Sequence, residues 1–220
     1  MKTTLSALFV LLASVAPALG DPDLRSIRPP GGQRGTEVEV TFSGRNLADA
    51  QEILWYEPGI EAVEFTKVND NTAKAKLKIA PDARLGLYDL RVRTLQGVTR
   101  LGTFSVGQFP ETQEKEPNND FETPQPIGMN VLVNGVAERE DIDYFVVEAK
   151  KGERITAEVE GLRLGIFHFD PYVAILDSKR FELSSSDDAP LLGVDALAQI
   201  EAPEDGPYII AVRESAYAGN

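Results

Sequence analysis

The sequence predicts an all-β protein made of two consecutive β-sandwich domains. Apolar and polar residues alternate over many short segments, which is the pattern of strands with one buried face, and no segment has a convincing helical period. Clusters of Gly, Pro, Asn and Asp separate these segments at intervals of about 8–12 residues, a spacing typical of sandwiches. The chain has 220 residues. The roughly 200 residues that follow an apolar N-terminal segment suit two small domains.

The first 20 residues have the features of a secretory signal peptide. Lys2 gives a positively charged start, an apolar run extends from Leu5 to Val15, and small residues lead to Gly20. The run is shorter than the ~20 apolar residues that a membrane-spanning helix needs. The absence of Cys excludes disulfides and a lipid-anchored Cys, so an exported chain of this kind depends on its core, on a metal or on both. We expect a secreted, periplasmic or cell-surface location in a bacterium.

The negative charge is confined to the second half of the chain. Residues 21–110 contain 12 acidic and 12 basic residues, whereas residues 111–220 contain 23 acidic and 9 basic residues. No basic face is predicted that could neutralise phosphates, which argues against nucleic acid as a partner. The acidic clusters could hold divalent cations, or they could simply keep a secreted protein soluble.

Seven short strands are predicted in the first half. The clearest alternations run through residues 38–42, 73–79 and 88–92. Four further apolar runs complete the set, at residues 24–28, 52–56, 62–68 and 98–106. The predicted turns are Gly31-Gly32, Glu57-Pro58-Gly59 and Asn69-Asp70-Asn71.

Three landmarks of the first half match a known family. They are Leu24-Arg-Ser-Ile-Arg-Pro-Pro30, the Gly35-Thr36 pair with the Gly-Arg-Asn-Leu turn that ends at Leu47, and Gly86-Leu-Tyr-Asp-Leu-Arg-Val92. This half resembles an IPT/TIG domain, which is immunoglobulin-like. The resemblance implies a sandwich over residues 21–107, and another Ig-like sandwich would have the same consequences for function.

The second half begins with a linker, residues 108–123, that carries five acidic residues. Six strands are predicted after it, at residues 131–137, 143–149, 154–160, 172–177, 196–201 and 207–212. Seven landmarks occur along the linker and this half: Glu116-Pro-Asn-Asn119, Val133-Asn-Gly-Val136, Asp141-x-Asp-Tyr-Phe145, Lys151-Gly152, Asp170-Pro-Tyr-Val-Ala-Ile-Leu-Asp177, Ser186-Asp-Asp188 and Gly206-Pro-Tyr-Ile-Ile-Ala-Val212.

These landmarks resemble the bacterial pre-peptidase C-terminal (PPC) domain, a small sandwich appended to secreted peptidases. The resemblance implies a second, jelly-roll-type sandwich over residues 124–220. Members of that family continue from the segment that matches residues 206–212 into a final strand, whose absence would leave a neighbouring edge unpaired. We therefore expect the chain to be the N-terminal part of a longer protein.

Two clusters of oxygen-bearing side chains predict a calcium site. The linker carries Glu114, Glu116, Asn118, Asn119 and Asp120. Because Pro117 disfavours a helical conformation at Glu116, this segment should run extended and place Glu114, Glu116 and Asn118 on one face. Carboxylates from Glu140, Asp141 or Asp143 could close the site, since Ca²⁺ binds six to eight oxygen ligands with little geometric strictness. The alternative is a solvated acidic linker.

A further resemblance supports calcium. The collagen-binding domains of clostridial collagenases are similar to PPC domains and bind Ca²⁺ through an acidic linker, whose positions are matched by Glu114, Glu116, Asn118 and Asn119. Asn119 stands where an aspartate is usual and has Asp120 beside it, so the register of the ligands stays open. Asp143, with one of Glu140 or Asp141, would complete the set. The resemblance implies a structural cation.

Catalysis within these residues is not expected. His168 is the only histidine, so a zinc site with two histidines cannot be built. Its place among aromatic residues is typical of a packed side chain rather than of the imidazole of a Ser–His–Asp triad. Ser184-Ser185-Ser186 is interpreted as a solvated loop. Paired acids such as Asp141 and Asp143 have no neighbouring aromatic platform for glycosidase work.

Aromatic residues give weaker candidates for ligand binding. Trp55 and Tyr56 precede a turn, where exposed aromatic residues often mark a contact site. Phe167, Phe169 and Tyr172 could form an aromatic strip for an extended peptide or a glycan. Each of these residues could instead belong to a core. Tyr88 and Tyr208, in matching Gly-x-Tyr contexts, are interpreted as corner tyrosines that hold loops in place.

Two functions fit this sequence. The first is an exported, non-catalytic binding or adhesion module that is stabilised by a structural calcium ion. Its expected partner is an extracellular polymer or protein such as a peptide, a collagen-like chain or a glycan. The second is the N-terminal accessory region of a secreted peptidase, with its catalytic domain beyond residue 220. The position of the PPC-like segment close behind a signal peptide favours the first.

Overall fold

The computed structural model describes residues 20–164, 169–190 and 192–217. The predicted signal peptide, apart from Gly20, lies outside these residues, as do Phe167 and His168. The predicted all-β, β-sandwich class is confirmed, because the described residues form strands and a single 3₁₀ turn at Leu162–Leu164. In the described part of the chain, no helix is long and apolar enough to cross a membrane.

The first eight strands form two facing sheets, which we call the first sandwich. One sheet has the order β1-β3-β6-β5 and the other has the order β2-β8-β7-β4. Their buried faces share one apolar core, in which Phe42, Tyr88 and Phe104 are the largest fully buried side chains. The strands are β1 (Asp23–Arg28), β2 (Gly31–Gln33), β3 (Glu37–Arg45), β4 (Ala50–Trp55), β5 (Ile60–Asn69), β6 (Thr72–Ile79), β7 (Gly86–Thr94) and β8 (Gly102–Gly107).

The pair Gly31-Gly32, predicted as a turn, is a strand instead. Strand β2 pairs in parallel with β8, and Gly31 is the partner of Ser105. A Cβ atom at Gly31 would lie 2.5 Å from the carbonyl oxygen of Ser105, and one at Gly32 would lie 2.6 Å from Cδ1 of Ile79. These glycines are therefore required by close packing, and the first sandwich has eight strands rather than seven.

The remaining strands form the second sandwich. A five-stranded sheet has the order β10-β12-β17-β14-β15, and two-stranded sheets are formed by β13 with β16 and by β9 with β11. A separate apolar core, which includes Phe145, Ile175 and Tyr208, draws on both the five-stranded sheet and the β13–β16 pair. The strands are β9 (Glu111–Gln113), β10 (Gln125–Pro126), β11 (Leu132–Asn134), β12 (Asp143–Ala149), β13 (Arg154–Val159), β14 (Pro171–Leu176), β15 (Glu182–Ser186), β16 (Ala196–Glu201) and β17 (Gly206–Glu214).

The start of the acidic linker is part of this second sandwich. Strand β9 pairs in parallel with β11, so that Gln113 is the partner of Asn134. The side chain of Gln125 bridges the next turn, because its Oε1 accepts from the N–H of Lys115 at 2.7 Å and its Nε2 donates to the carbonyl of Gln113 at 3.2 Å. These contacts fix the linker in front of β12.

The loop between β13 and β14 contacts strand β8 of the first sandwich. The hydroxyl of Thr103 donates to the carbonyl of Leu164. The loop is held by Asp195, which is fully buried and accepts hydrogen bonds from the backbone N–H groups of Gly161 and Leu162, and from the guanidinium of Arg163. A buried carboxylate with several donors is a satisfied structural group.

Two interpretations of polar and aromatic segments change with the structure. Residues Ser184–Ser186, predicted as a loop, belong to the edge strand β15, where Ser184 is the partner of Ile175. Tyr208 is a corner tyrosine, because its hydroxyl donates to the carbonyl of Glu204 at 2.8 Å. Tyr88 is buried in the first core, and its hydroxyl has no hydrogen-bond partner.

This difference predicts opposite outcomes for two matched substitutions. Tyr208→Phe removes a hydrogen bond and should lower the free energy of unfolding by about 0.5–1.5 kcal/mol. Tyr88→Phe removes a buried hydroxyl that has no partner, so stability should stay the same or rise. Urea unfolding, followed by the fluorescence of the single Trp and by circular dichroism, measures both. An equal loss in the two variants would contradict the assignment of Tyr208 alone as a corner tyrosine.

Candidate metal centre

The two acidic clusters predicted to meet are brought together beside the start of β12. One carboxylate oxygen from each of Glu114, Glu116 and Asp143 lies within 4.8 Å of the others. Two oxygens that bind one Ca²⁺ at about 2.3–2.6 Å can be at most about 5 Å apart, so this spacing is compatible with a shared cation.

Strand alternation places Asp143 at this position. It is the first residue of β12, whose side chains alternate between buried and less buried positions, and only 3% of Asp143 is exposed. The N–H of Tyr144 donates to the carbonyl of Asn118 at 2.9 Å, which ties the linker directly to the strand. The buried carboxylate therefore faces the linker that carries the other two acids.

Glu114 is held at both its backbone and its side chain. Its N–H donates to the carbonyl of Asn134 at 2.9 Å, which continues the pairing of β9 with β11. Its Oε2 accepts from the N–H of Val136 at 2.8 Å, and its Oε1 accepts from Nδ2 of Asn118 at 3.1 Å. The carboxylate is thus positioned by three neighbouring groups of the chain.

Two buried oxygen atoms at this place lack a hydrogen-bond donor. Asn118 is 1% exposed, and its amide nitrogen is engaged by Glu114 while its Oδ1 has no partner. The Oδ1 of Asp143 is also buried without a partner. Buried acceptors are normally satisfied, so each requires a donor, a water or a cation.

The electrostatics of the cluster are unfavourable without a compensating charge. Burial, with the negative charges of Glu114, Asp141 and Glu116, raises the pKa of Asp143 to about 8. Like charges close together in a poorly solvated place oppose ionisation, and an added positive charge reverses that effect.

Four other predicted ligands lie beside the cluster rather than in it: Asn119, Asp120, Glu140 and Asp141. Asp141 accepts a hydrogen bond from Nδ2 of Asn119 and lies 7% exposed. Asp120 is exposed, and its carboxylate accepts from the N–H of Glu122 in a local turn. Glu140 has a side chain that is 77% exposed and faces Arg139 at 3.9 Å.

An open cleft adjoins the cluster. Its volume is about 400 Å³, and it is lined by Glu116, Asn119, Glu138, Arg139, Glu140 and Asp141. Glu116 belongs both to the cleft wall and to the three-carboxylate group, so solvent reaches the cluster from this side.

The aromatic candidates do not form one surface. Trp55 is partly buried and packs edge-on against Phe104, with 6.0 Å between ring centroids, whereas Tyr56 is 60% exposed and its hydroxyl accepts from Arg91. The ring of Tyr172 is covered by the guanidinium of Arg213 at 4.0 Å. Phe169 is partly buried and lies next to Gly161, so Trp55 and Phe169 are packing residues. Of the four candidates that the structure describes, Tyr56 alone is well exposed.

Sequence reasoning missed the groups that seat Glu114. The backbone of Gly135 and the N–H of Val136 lie against its carboxylate, and Gln125 holds the linker on the other side. The segment Val133-Asn-Gly-Val136 was noted only as a landmark of the family resemblance. The Gly in this segment could have indicated the contact, because a Gly between strand residues often marks a place where another part of the chain approaches the backbone closely.

Comparisons with known proteins do not place the chain in a family. No family model matches its sequence, and a search of characterised proteins finds no significant match. Solved structures show weak similarity. SGBP-B of the Bacteroides ovatus mixed-linkage glucan utilization locus, in complex with a mixed-linkage heptasaccharide, aligns with 90% of this chain and 40% of its own length, at 11% identity and a TM-score of 0.32.

Two further structures align at a similar level. The Yersinia pseudotuberculosis adhesin InvE aligns with 88% of the chain and 51% of its own length, at 14% identity and a TM-score of 0.31. SGBP-B from a complex xyloglucan utilization locus in Bacteroides uniformis aligns with 88% of the chain and 67% of its own length, at 9% identity and a TM-score of 0.31. The chain thus spans about half or less of the first two of these proteins.

Glu111, in strand β9 of the linker, is expected to make the free energy of unfolding depend on pH. Burial raises the pKa of Glu111 above its ordinary value of 4.5, although Nδ2 of Asn134 donates to its carboxylate at 2.9 Å. A raised folded-state pKa means that Glu111 lowers stability once the pH exceeds the unfolded-state pKa. Glu111→Gln keeps an acceptor for Asn134, so its free energy of unfolding relative to the wild type should increase between pH 4 and pH 7. Urea unfolding in chelator measures this, and a constant difference across that range would contradict the prediction.

Proposed function

We propose that this chain is an exported, non-catalytic binding or adhesion module in which a structural Ca²⁺ holds the acidic linker against the second sandwich. The observation that carries the proposal is the convergence of Glu114, Glu116 and Asp143, together with two buried oxygens that have no donor, Oδ1 of Asp143 itself and Oδ1 of the adjoining Asn118. A divalent cation bound here would give buried oxygens a partner and would offset most of the negative charge of the three carboxylates.

The donor set fits calcium. Glu114, Glu116 and Asp143 would supply carboxylate oxygens and Asn118 its amide oxygen, all of which are hard ligands of the kind that Ca²⁺ binds. The soft or nitrogen ligands that zinc and copper prefer are not part of this group. Because Glu116 faces the open cleft, water can complete the six to eight ligands of Ca²⁺ from that side.

The proposed role of the cation is structural: it would hold the linker against strand β12. It would neutralise carboxylates that repel one another, and the residues around it would keep their present contacts to the linker. Asn118 would remain bonded to Tyr144, and Glu114 to Val136, so the segment from β9 to residue 118 would stay fixed. Binding free energy at such a site adds to the free energy of folding.

A binding role agrees better with these residues than catalysis does. The carboxylates of the cluster hold backbone and amide groups in place: Glu114 accepts from Val136 and Asn118, and Glu116 accepts from the N–H of Asn118. The proposed partner is an extracellular polymer or protein, such as a peptide, a collagen-like chain or a glycan. The same structural role for the cation would hold in an accessory region of a secreted peptidase.

Calcium should stabilise the protein against heat. At 100 times the Kd, a ligand that binds only the folded state stabilises it by about 2.7 kcal/mol, which corresponds to a rise in Tm of roughly 5–10 °C. We expect this rise when residues 21–220 are heated in millimolar Ca²⁺ rather than in excess chelator. Asp143→Asn and Glu116→Gln should each abolish most of the shift, because each removes one carboxylate from the group of three.

Asp120→Asn is the matched control. Asp120 also lies in the linker, but its carboxylate caps a local turn and is not in the three-carboxylate group, so the calcium shift should be retained. A folded wild-type protein whose Tm is the same in Ca²⁺ and in chelator would refute the proposed site. Equal losses in the Asp120 and Asp143 variants would point to general charge screening instead.

A further inference from the structure

The residue opposite Glu114 on the neighbouring strand has no side chain, and this creates the space that the carboxylate occupies. A Cβ atom built on Gly135 would lie 2.6 Å from Oε2, 2.8 Å from Cδ and 3.0 Å from Oε1 of Glu114. Real Cβ atoms essentially never come this close to another heavy atom. The whole carboxylate therefore rests on the bare backbone of Gly135.

The surrounding hydrogen bonds leave Glu114 little freedom to move away. Its N–H donates to the carbonyl of Asn134 and its Oε2 accepts from the N–H of Val136, so the residue spans Gly135 from both sides. Its Oε1 is engaged by Asn118 on the linker. A carboxylate displaced from Gly135 would lose the bond to Val136, and the amide of Asn118 would lose the partner that orients it.

Backbone conformation is not the reason for a glycine here. The glycines at which the backbone requires positive φ are a separate set that does not include Gly135. An alanine at this position would therefore need no positive φ, and the three heavy atoms nearest to its Cβ would all belong to the carboxylate of Glu114. This separates the role of Gly135 from that of Gly152, which lies in a turn with positive φ.

We infer that Gly135 is a positioning residue for the cation site, an inference that rests on the proposed calcium function. The absence of its side chain fixes where the carboxylate of Glu114 lies relative to Glu116 and Asp143. Through Glu114 it also fixes which way the amide of Asn118 turns, with Oδ1 left free for a ligand. Residues that orient metal ligands commonly change affinity by about 10–100-fold when they are altered.

The test is calcium affinity measured by isothermal titration calorimetry on residues 21–220. We expect Gly135→Ala to raise the Kd for Ca²⁺ by at least about tenfold. Gly128→Ala is the matched control, because Gly128 lies in the same sandwich and a Cβ there meets nothing within 4 Å. The control should bind Ca²⁺ as the wild type does.

A compensating variant separates positioning from general destabilisation. Glu114→Asp shortens the side chain by one methylene and draws the carboxylate away from residue 135. In the wild type this change should weaken binding, whereas in Gly135→Ala it should cost much less or restore part of the affinity. Strong non-additivity of this kind is expected for residues that are in contact or share one hydrogen-bond network, and not for independent sites.

Each outcome has a distinct meaning. If Gly135→Ala lowers the Tm in chelator but leaves the Kd unchanged, Gly135 is a packing residue and the positioning role is overturned. If the effects of Gly135→Ala and Glu114→Asp simply add, the proposed contact does not control affinity. If the wild type itself binds no Ca²⁺, the proposed function fails, and this result is read before any variant is compared.

Discussion

The burial of Asp143 beside two other carboxylates is the constraint on which the second sandwich depends at its linker end. Removing a charge from water costs several kcal/mol unless it is paired, and neighbouring negative charges add to this cost. Strand β12 cannot avoid the burial, because the alternation that places Phe145 and Val147 in the core also turns Asp143 inward. Compensation must come from outside the strand, and the linker is the segment that lies against it.

The linker side chains that lie beside Asp143 carry oxygen atoms rather than positive charges. A lysine or arginine facing Asp143 would have formed an ordinary buried ion pair, as Arg163 does with Asp195. Glu114, Glu116 and Asn118 instead deepen the negative potential and leave two buried acceptors without donors. Such an arrangement is stable only with a proton or a cation in its centre, and the oxygen-rich geometry favours a cation with many ligands. Within one sandwich, Asp195 is thus a structural carboxylate paired with a basic residue, whereas the surroundings of Asp143 are those expected of a ligand to a cation.

Most of the strands could be predicted from the sequence, because a strand that buries one face alternates apolar and polar residues. Strands β12 and β16 were predicted at their observed limits, and β6 was predicted to within one residue, since apolar and polar positions alternate in them. Strands β2, β9, β10 and β15 were missed because Gly31-Gly32, Gln125-Pro126 and the serines of β15 show no such pattern; each is held by pairing with a partner strand. The convergence of the two acidic clusters could be predicted from the extended linker. Asp143 was predicted together with one of Glu140 or Asp141, and of these three only Asp143 joins the group, because it is the buried first residue of β12. The contact of Glu114 with Gly135 arises from tertiary packing alone.

The position of the cluster determines what a cation can control. Both apolar cores are built from residues on paired strands, and the cluster lies at the rim of the second core, where the linker enters. Loss of the cation would therefore act first on residues 114–118 and on their bonds to Val136 and Tyr144, which hold the linker and not the sheets. Segments with few buried apolar contacts open at lower free energy than the core does. A cation bound here is thus suited to fixing residues 114–118 against β12, while the sandwiches themselves are held by their packed interiors.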